Sequence, residues 1–209
     1  MTIKKLVLGG FQTNTYIIIE GENAVVIDPA DDKQAILDEI AQTGTRLTHI
    51  LLTHGHFDHT KAVQELTDLT KAQVHIHEKD VPMLGDIGKS FASFMPNSWR
   101  KCSADVLLKD GDVINVNAAL QIRVIGTPGH SPGSVMYAVE DTIFSGDTLF
   151  SGSVGRVDGW GGSHDEQMAT LQKIMAMSGD YRILPGHGDE TTLLKEKRSN
   201  PFLAEEEYE

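Results

Sequence analysis

The sequence predicts an α/β fold in which two sheets pack face to face with helices outside. Short β-branched and aliphatic runs followed by an amphipathic helix occur twice, once in each half of the 209 residues. No Ser-, Gly- or Pro-rich linker separates the halves. A chain of this length can bury one full core, so residues 1–209 are expected to form a single domain.

The elements follow in order. Residues 3–8 and 15–19 are strand-like runs separated by Gly9-Gly10, and 24–27 follows the turn signal Gly21-Glu22-Asn23, which makes an opening meander. Asp28-Pro29 stops its third strand. Residues 31–43 carry Ala35, Ile36, Ile40 and Ala41 at helical spacing, with Asp31 and Asp32 at the start and Gly44 past the end. A strand over 47–52 follows. Val63, Leu66 and Leu69 repeat at three-residue spacing, predicting a helix over 60–71, and 74–76 is a short strand. From 83 to 104 the pattern fails. There Phe91, Phe94, Met95 and Trp99 lie among polar residues, and they either pack on a sheet or wall an active site. Strands resume at 107–108, 113–116 and 120–125, with Asp110-Gly111 as a hairpin signal. Residues 135–139 and 142–144 form a hairpin through Glu140-Asp141. Ser163 and Glu166 fit a capping box opening a helix through Met177. Residues 182–184 are the last expected strand, and the acidic tail 205–209 is expected to be a solvated helix end.

The chemistry is concentrated in Thr53-His54-Gly55-His56-Phe57-Asp58-His59, on the loop leaving the strand 47–52. Four side chains able to bind a metal sit within six residues, and a loop held by a rigid strand lets them converge. Imidazole and carboxylate suit a borderline divalent cation such as zinc. Three further candidates follow strand-like runs beside Gly or Pro: His130 in Gly129-His130-Ser131-Pro132-Gly133, Asp147 in Ser145-Gly146-Asp147-Thr148, and His187 in Pro185-Gly186-His187-Gly188. Seven ligands exceed the four that one tetrahedral zinc needs, which points to two divalent metals, zinc first with iron or manganese as alternatives. Asp58 and His59 cannot easily share a metal with His54 and His56, so one metal is expected on each side of the loop, and Asp147 is the candidate bridge. A metal pair of this kind implies hydrolysis by a shared hydroxide. Asp58 is the candidate catalytic residue, orienting that hydroxide or accepting its proton. No Gly-x-Ser-x-Gly nucleophile competes, since Ser134 and Ser151 have the wrong flanks.

The other histidines carry structural expectations. His49 lies in a strand, His75 and His77 alternate along another, and His164 falls in a capped first turn. Cys102 is expected to be an inert thiol, Arg156 an ion-pair partner, and Lys195, Lys197 and Arg198 a solvated helix face. The net charge of −12 argues against nucleic acid as a partner. A single cysteine and the lack of an apolar leader or membrane-length run point to a soluble, cytoplasmic protein.

Together these motifs resemble the metallo-β-lactamase superfamily over nearly the whole chain. The resemblance implies a four-layer αββα sandwich, with His54, His56 and His130 on one metal, Asp58, His59 and His187 on the other, and Asp147 bridging. An Asp at 147 is unlike the true β-lactamases of the superfamily, which have Cys there. Residues 127–133, the run 146–156, and 185–188 extended through Asn200-Pro201-Phe202 are similar to the glyoxalase II group, the hydroxyacylglutathione hydrolases. That similarity implies a small-molecule thioester substrate such as S-lactoylglutathione. The chain ends shortly after His187, so the helical domain supplying much of the glutathione contact in those enzymes has no expected counterpart. The thiol carrier and the oligomeric state stay open. The alternatives are a persulfide dioxygenase, which resembles this group but holds one iron, here by His54, His130 and Asp147, and a metal-binding domain without catalysis.

Overall fold

A computed structural model describes residues 1–94 and 99–203. The first sheet contains β1 (Thr2–Leu8), β2 (Thr13–Glu20), β3 (Asn23–Ile27), β4 (Arg46–Leu51), β5 (Gln73–His77) and β6 (Val106–Leu108), side by side in that order. β1, β2 and β3 pair antiparallel, as the meander signals predict, and β3 through β6 pair parallel. Parallel neighbours need crossovers, and α1 (Lys33–Ala41) supplies one between β3 and β4. Between β4 and β5 run α2 (Phe57–Thr60) and α3 (Val63–Thr70).

The second sheet contains β7 (Val113–Asn115), β8 (Gln121–Gly126), β9 (Val135–Val139) and β10 (Thr142–Gly146), joined by β13 (Arg182–Pro185) and β14 (Thr191–Thr192). Across the sheet the order is β14-β13-β10-β9-β8-β7, with β10 and β13 parallel. A small hairpin of β11 (Leu149–Phe150) and β12 (Ser153–Val154) lies outside it, as do α4 (His164–Ala176) and α5 (Leu193–Ser199).

Side-chain alternation explains why the sheets stack. In β2, Tyr16 and Ile18 point inward to meet Val124, Tyr137, Phe144 and Leu184 of the second sheet. Ile17 points outward onto a cluster with Ile36 and Ile40 of α1 and Val63 and Leu66 of α3. The second sheet repeats the arrangement, with Met136, Ile143 and Ile183 packed on Leu171 and Ile174 of α4 and Leu193 of α5. Helix, sheet, sheet and helix make the expected four-layer αββα sandwich. Strands buried on both faces are apolar throughout rather than alternating, which is why β2 and β3 stand out in the sequence. No helix among the described residues is long and apolar enough to cross a membrane.

Four expectations need correction. The single helix over 60–71 is two helices, because the Ala62 amide donates to the Pro29 carbonyl at 3.0 Å. That pins the chain to the first sheet between the two segments. Asp110-Gly111 is not a hairpin turn, since β6 lies in the first sheet and β7 in the second, and this turn is the crossover. The strand over 182–184 is followed by one more, the two-residue β14, which pairs antiparallel with β13. The Ser163–Glu166 capping box forms in half: the Ser163 hydroxyl accepts from the Glu166 amide at 3.3 Å, whereas the Ser163 amide donates to Gly129 O. Between 83 and 104 the buried aromatic packs on α2 rather than on a sheet, and others face a cleft. Trp99 is buried on Phe57 and Ala92, and Phe91 and Phe94 face a cleft. Met95 and the acidic tail 205–209 lie outside the described residues.

Candidate metal centre

The four strand-exit loops meet at one edge of the sandwich, where β4, β8, β10 and β13 end. Three groups of candidate ligand atoms each lie within 4.8 Å of one another: His54, His56 and His130; His54, His59 and Asp147; Asp58, His59 and His187. All seven residues singled out in the sequence converge there. His56 Nδ1 and His54 Nε2 approach His130 Nε2 at 3.0 and 3.3 Å. His59 Nε2 lies 3.3 Å from His187 Nε2, and Asp58 Oδ2 is 3.3 Å from His187 Nε2. Asp147 sits between the two groups, with Oδ1 3.3 Å from His59 Nε2 and Oδ2 3.6 Å from both His130 Nε2 and His187 Nε2.

Outer hydrogen bonds fix which ring nitrogens carry protons. His130 Nδ1 faces the Arg156 carbonyl at 2.7 Å and His187 Nδ1 the Phe11 carbonyl at 3.2 Å, so both nitrogens must donate. His59 Nδ1 donates to Asp28 Oδ2 at 2.9 Å. The Thr53 hydroxyl gives its own proton to Asp28 at 2.6 Å and so accepts from His54 Nδ1 at 3.1 Å. Each neutral ring therefore aims a bare lone pair at the centre. His54 faces His130 lone pair against lone pair, and His59 faces His187 in the same way once His59 gives up its proton; such pairs repel unless a cation sits between them. This donor set, neutral imidazoles with two carboxylates, fits two divalent cations.

Electrostatics agree. Burial pushes the His54 imidazole well below its ordinary range, and burial with the neighbouring His130 pulls His56 down to about 3. Both are held neutral, as metal ligation requires. Burial disfavours charge on Asp147 and Asp58, yet the surrounding histidines together outweigh it, His59 with His187 at Asp58 and His59 with His54 and His130 at Asp147, and keep both carboxyls below the usual range. Burial likewise opposes charge on His59, but Asp147, Asp58 and Asp28 raise it well above the ordinary histidine value. Without a metal, a proton on His59 is the cation that holds the acidic side together.

Two glycines let the backbone reach this centre. A Cβ on Gly186 would stand 2.7 Å from His59 Cε1 and overlap Asp147 Oδ1. Gly146 adopts φ +49° directly against the Thr53 side chain, where a Cβ would collide.

Two buried carboxylates that no local pattern flags brace the loop 53–59 from either side. Asp28, read in the sequence as a strand stop, accepts from the Thr53 amide, the Thr53 hydroxyl and His59. Asp80, wholly buried, accepts from the Gly55 amide at 3.1 Å, the Ser131 hydroxyl at 2.6 Å and the Gly133 amide at 2.6 Å. It thus ties the loop of His54 and His56 to the loop of His130. Thr13 Oγ1 donates to Asp58 Oδ2 at 3.2 Å.

The remaining candidates stay outside the cluster. His49 and His75 lie side by side with ring centroids 5.3 Å apart, and among the described residues they belong to no group of three ligands. His77 Nδ1 accepts from the Lys79 amide, and His164 is exposed at the start of α4. Burial pushes the Cys102 thiol up to about 12, which leaves it unreactive. Arg156 pairs with Asp158 through two bonds. Lys195 and Arg198 lie exposed on α5.

The centre opens into a cleft of about 280 Å³ lined by Phe11, Phe57, Phe91, Phe94 and Arg156 together with five of the seven ligands. Among the described residues no serine lines it, and Ser131 is committed to Asp80 and Ser134.

Known proteins share this fold. A family model of the metallo-beta-lactamase superfamily matches residues 8–187. The structure of BLEG-1 B3 metallo-beta-lactamase superposes with a TM-score of 0.90 at 35% identity, covering 97% of this chain and 100% of that one. That of TTHA1623 in a di-iron-bound form superposes with a TM-score of 0.85 at 36% identity, over 95% and 99%. Hydroxyacylglutathione hydrolase GloC of Haemophilus influenzae is 30% identical over 216 residues, covering 97% of this chain and 98% of its own. With the fold, the seven converging side chains and the family match in agreement, this chain belongs to the metallo-beta-lactamase superfamily.

Proposed function

We propose that the protein is a dinuclear metal-dependent thioesterase that hydrolyses 2-hydroxyacyl conjugates of a small thiol. The observation that carries the metal part is the pair of facing imidazole lone pairs, His54 with His130 and His59 with His187, on either side of Asp147. Two cations bound there supply Lewis-acid activation of water and of a carbonyl, together with stabilisation of an anionic leaving group.

The chain's own residues do the rest. Asp58 lines the cleft with its carboxylate held by Thr13 and kept ionised, so it can take a proton from an attacking water. Asp28 and Asp80 hold the ligand loops rigid, which keeps the geometry fixed while charge develops. Water adds to the thioester carbonyl carbon, the C–S bond breaks, and the thiol leaves with a proton beside a carboxylate product. GloC, similar over nearly its whole length, supports the thioester class.

The test is steady-state hydrolysis of S-lactoylglutathione by metal-loaded protein, with nitrocefin, a β-lactam, alongside. Thioester cleavage that a chelator abolishes and that Asp58→Asn lowers about a hundredfold or more is expected. Fully loaded protein that leaves thioesters intact, or that opens nitrocefin instead, refutes the reading.

A further inference from the structure

Five residues line the cleft without belonging to the ligand set: Phe11, Phe57, Phe91, Phe94 and Arg156. Four of the seven phenylalanines in the chain are therefore gathered at this one opening. They form one apolar surface, because Phe57 and Phe91 share a cluster with Ala92 and Trp99. Phe11 stands edge-on to Phe57 with centroids 5.2 Å apart, on the side of Asp58 and His187. Phe91 lies against the His56 ring at 4.8 Å and is followed by Phe94 at 6.3 Å, on the side of His56 and His130.

Core packing does not account for this. Phe11 is 52% exposed and Phe94 73% exposed, so both rings keep apolar surface in water at the mouth of the site. Phe91 has φ +61°, a left-handed conformation that a bulky residue adopts only where its surroundings enforce it. Those surroundings are visible: Gly159 leaves room beneath the ring, where a Cβ would come within 3.1 Å, and the Arg156 guanidinium lies 5.9 Å above it. The ring is pre-set rather than free. Charge recognition is sparse by comparison. Arg156 is the one cation lining the cleft among the described residues, and Asp158 already holds it at 2.5 and 2.7 Å.

We propose that this phenylalanine surface forms the acyl subsite, and that the protein prefers 2-hydroxyacyl thioesters whose acyl side group is aromatic or branched aliphatic over those carrying a methyl group. This deepens the thioesterase reading and rests on it. An apolar side group seated against the exposed Phe11 or Phe94 ring removes from water surface that both the group and the ring otherwise expose. A methyl group covers far less of that surface. The gain acts on the bound substrate and on the transition state that follows, so it appears in kcat/KM.

The test compares S-mandeloylglutathione with S-lactoylglutathione, which differ only by phenyl in place of methyl. The expected result is a kcat/KM ratio of about ten or more in favour of the mandeloyl substrate. Phe94→Ala and Phe11→Ala should each move that ratio towards one, and the exposure of both rings means that neither truncation threatens folding. Calorimetric binding of the thioethers S-benzylglutathione and S-methylglutathione reads the same surface without turnover. The benzyl compound should bind about tenfold tighter or better. A ratio at or below one, or one that the variants leave unchanged, overturns the acyl-subsite assignment while the thioesterase reading stands. Cleavage of neither thioester by fully loaded protein overturns both.

Discussion

Asp80 offers a direct test of how the centre is held in shape. Its carboxylate is fully buried and accepts three hydrogen bonds, two of them at 2.6 Å, from two different loops. Asp80→Asn keeps the volume but replaces one acceptor oxygen with a donor. In the best arrangement the amide oxygen faces the Gly133 amide, and Ser131 rotates to accept, leaving the Gly55 amide facing a second donor. One charge-assisted bond is lost and one buried amide is orphaned, each worth about 1–3 kcal/mol. Burial raises the carboxyl above the ordinary aspartate range, so removing the charge returns part of that cost. The net expectation is destabilisation by about 2–4 kcal/mol, a fall in Tm on the order of 5–15 °C for a chain this long. Unfolding should be followed on chelated protein, so that bound metal does not mask the change. Because Asp80 joins the His54–His56 loop to the His130 loop, metal affinity on that side should fall by about 10–100-fold while the Asp58 side holds its ion. A Tm within a degree or two of the wild type, with both ions retained at unchanged affinity, refutes the bracing role.

Three further outcomes follow from the same geometry. Gly186→Ala puts a methyl group into His59 and Asp147 and should lower both metal content and activity about a hundredfold, while far-ultraviolet circular dichroism stays native; a variant that keeps two metals and full activity contradicts the close approach. Thr13→Val removes one bond to Asp58 and should cost about 1 kcal/mol in denaturant unfolding, with activity down about tenfold. In chelated protein His59 has a folded pKa raised above the ordinary 6.5, because Asp147, Asp58 and Asp28 outweigh burial. Its stabilising effect is then fully present below pH 6.5 and lost as pH rises through the folded value. Metal loading at pH 7 should displace that proton, releasing about one proton per chain in calorimetry across buffers of different ionisation enthalpy, and no release contradicts it.

The ligand loop could be read from the sequence because His54, His56, Asp58 and His59 fall within one six-residue stretch just after a strand end. Their spacing is a local fact. His130, Asp147 and His187 were readable by a weaker signal, Gly or Pro at a strand exit, which marks where a backbone turns sharply but says nothing about what it meets. Asp28 and Asp80 carried no such mark. Their partners, His59 and Gly133, lie 31 and 53 residues away, and only the sandwich brings them together. The Asp110-Gly111 turn shows the same limit: a turn signal fixes local backbone shape but not which sheet receives the next strand. The break between α2 and α3 depends on the Pro29 carbonyl capturing the Ala62 amide, again a tertiary contact. The phenylalanines of 83–104 were visible as an anomaly, and the cleft they help to wall needed Phe11 from the other end of the first sheet.

The central claim is that facing lone pairs in this centre hold two cations. Metal content per chain by inductively coupled plasma mass spectrometry, with thioester hydrolysis and persulfide-dependent oxygen uptake measured on the same sample, tests it most directly. Two divalent ions per chain with thioester cleavage and no oxygen uptake is the predicted result. One iron per chain with oxygen uptake would contradict it, because His59 and His187 would then face each other with no metal between them.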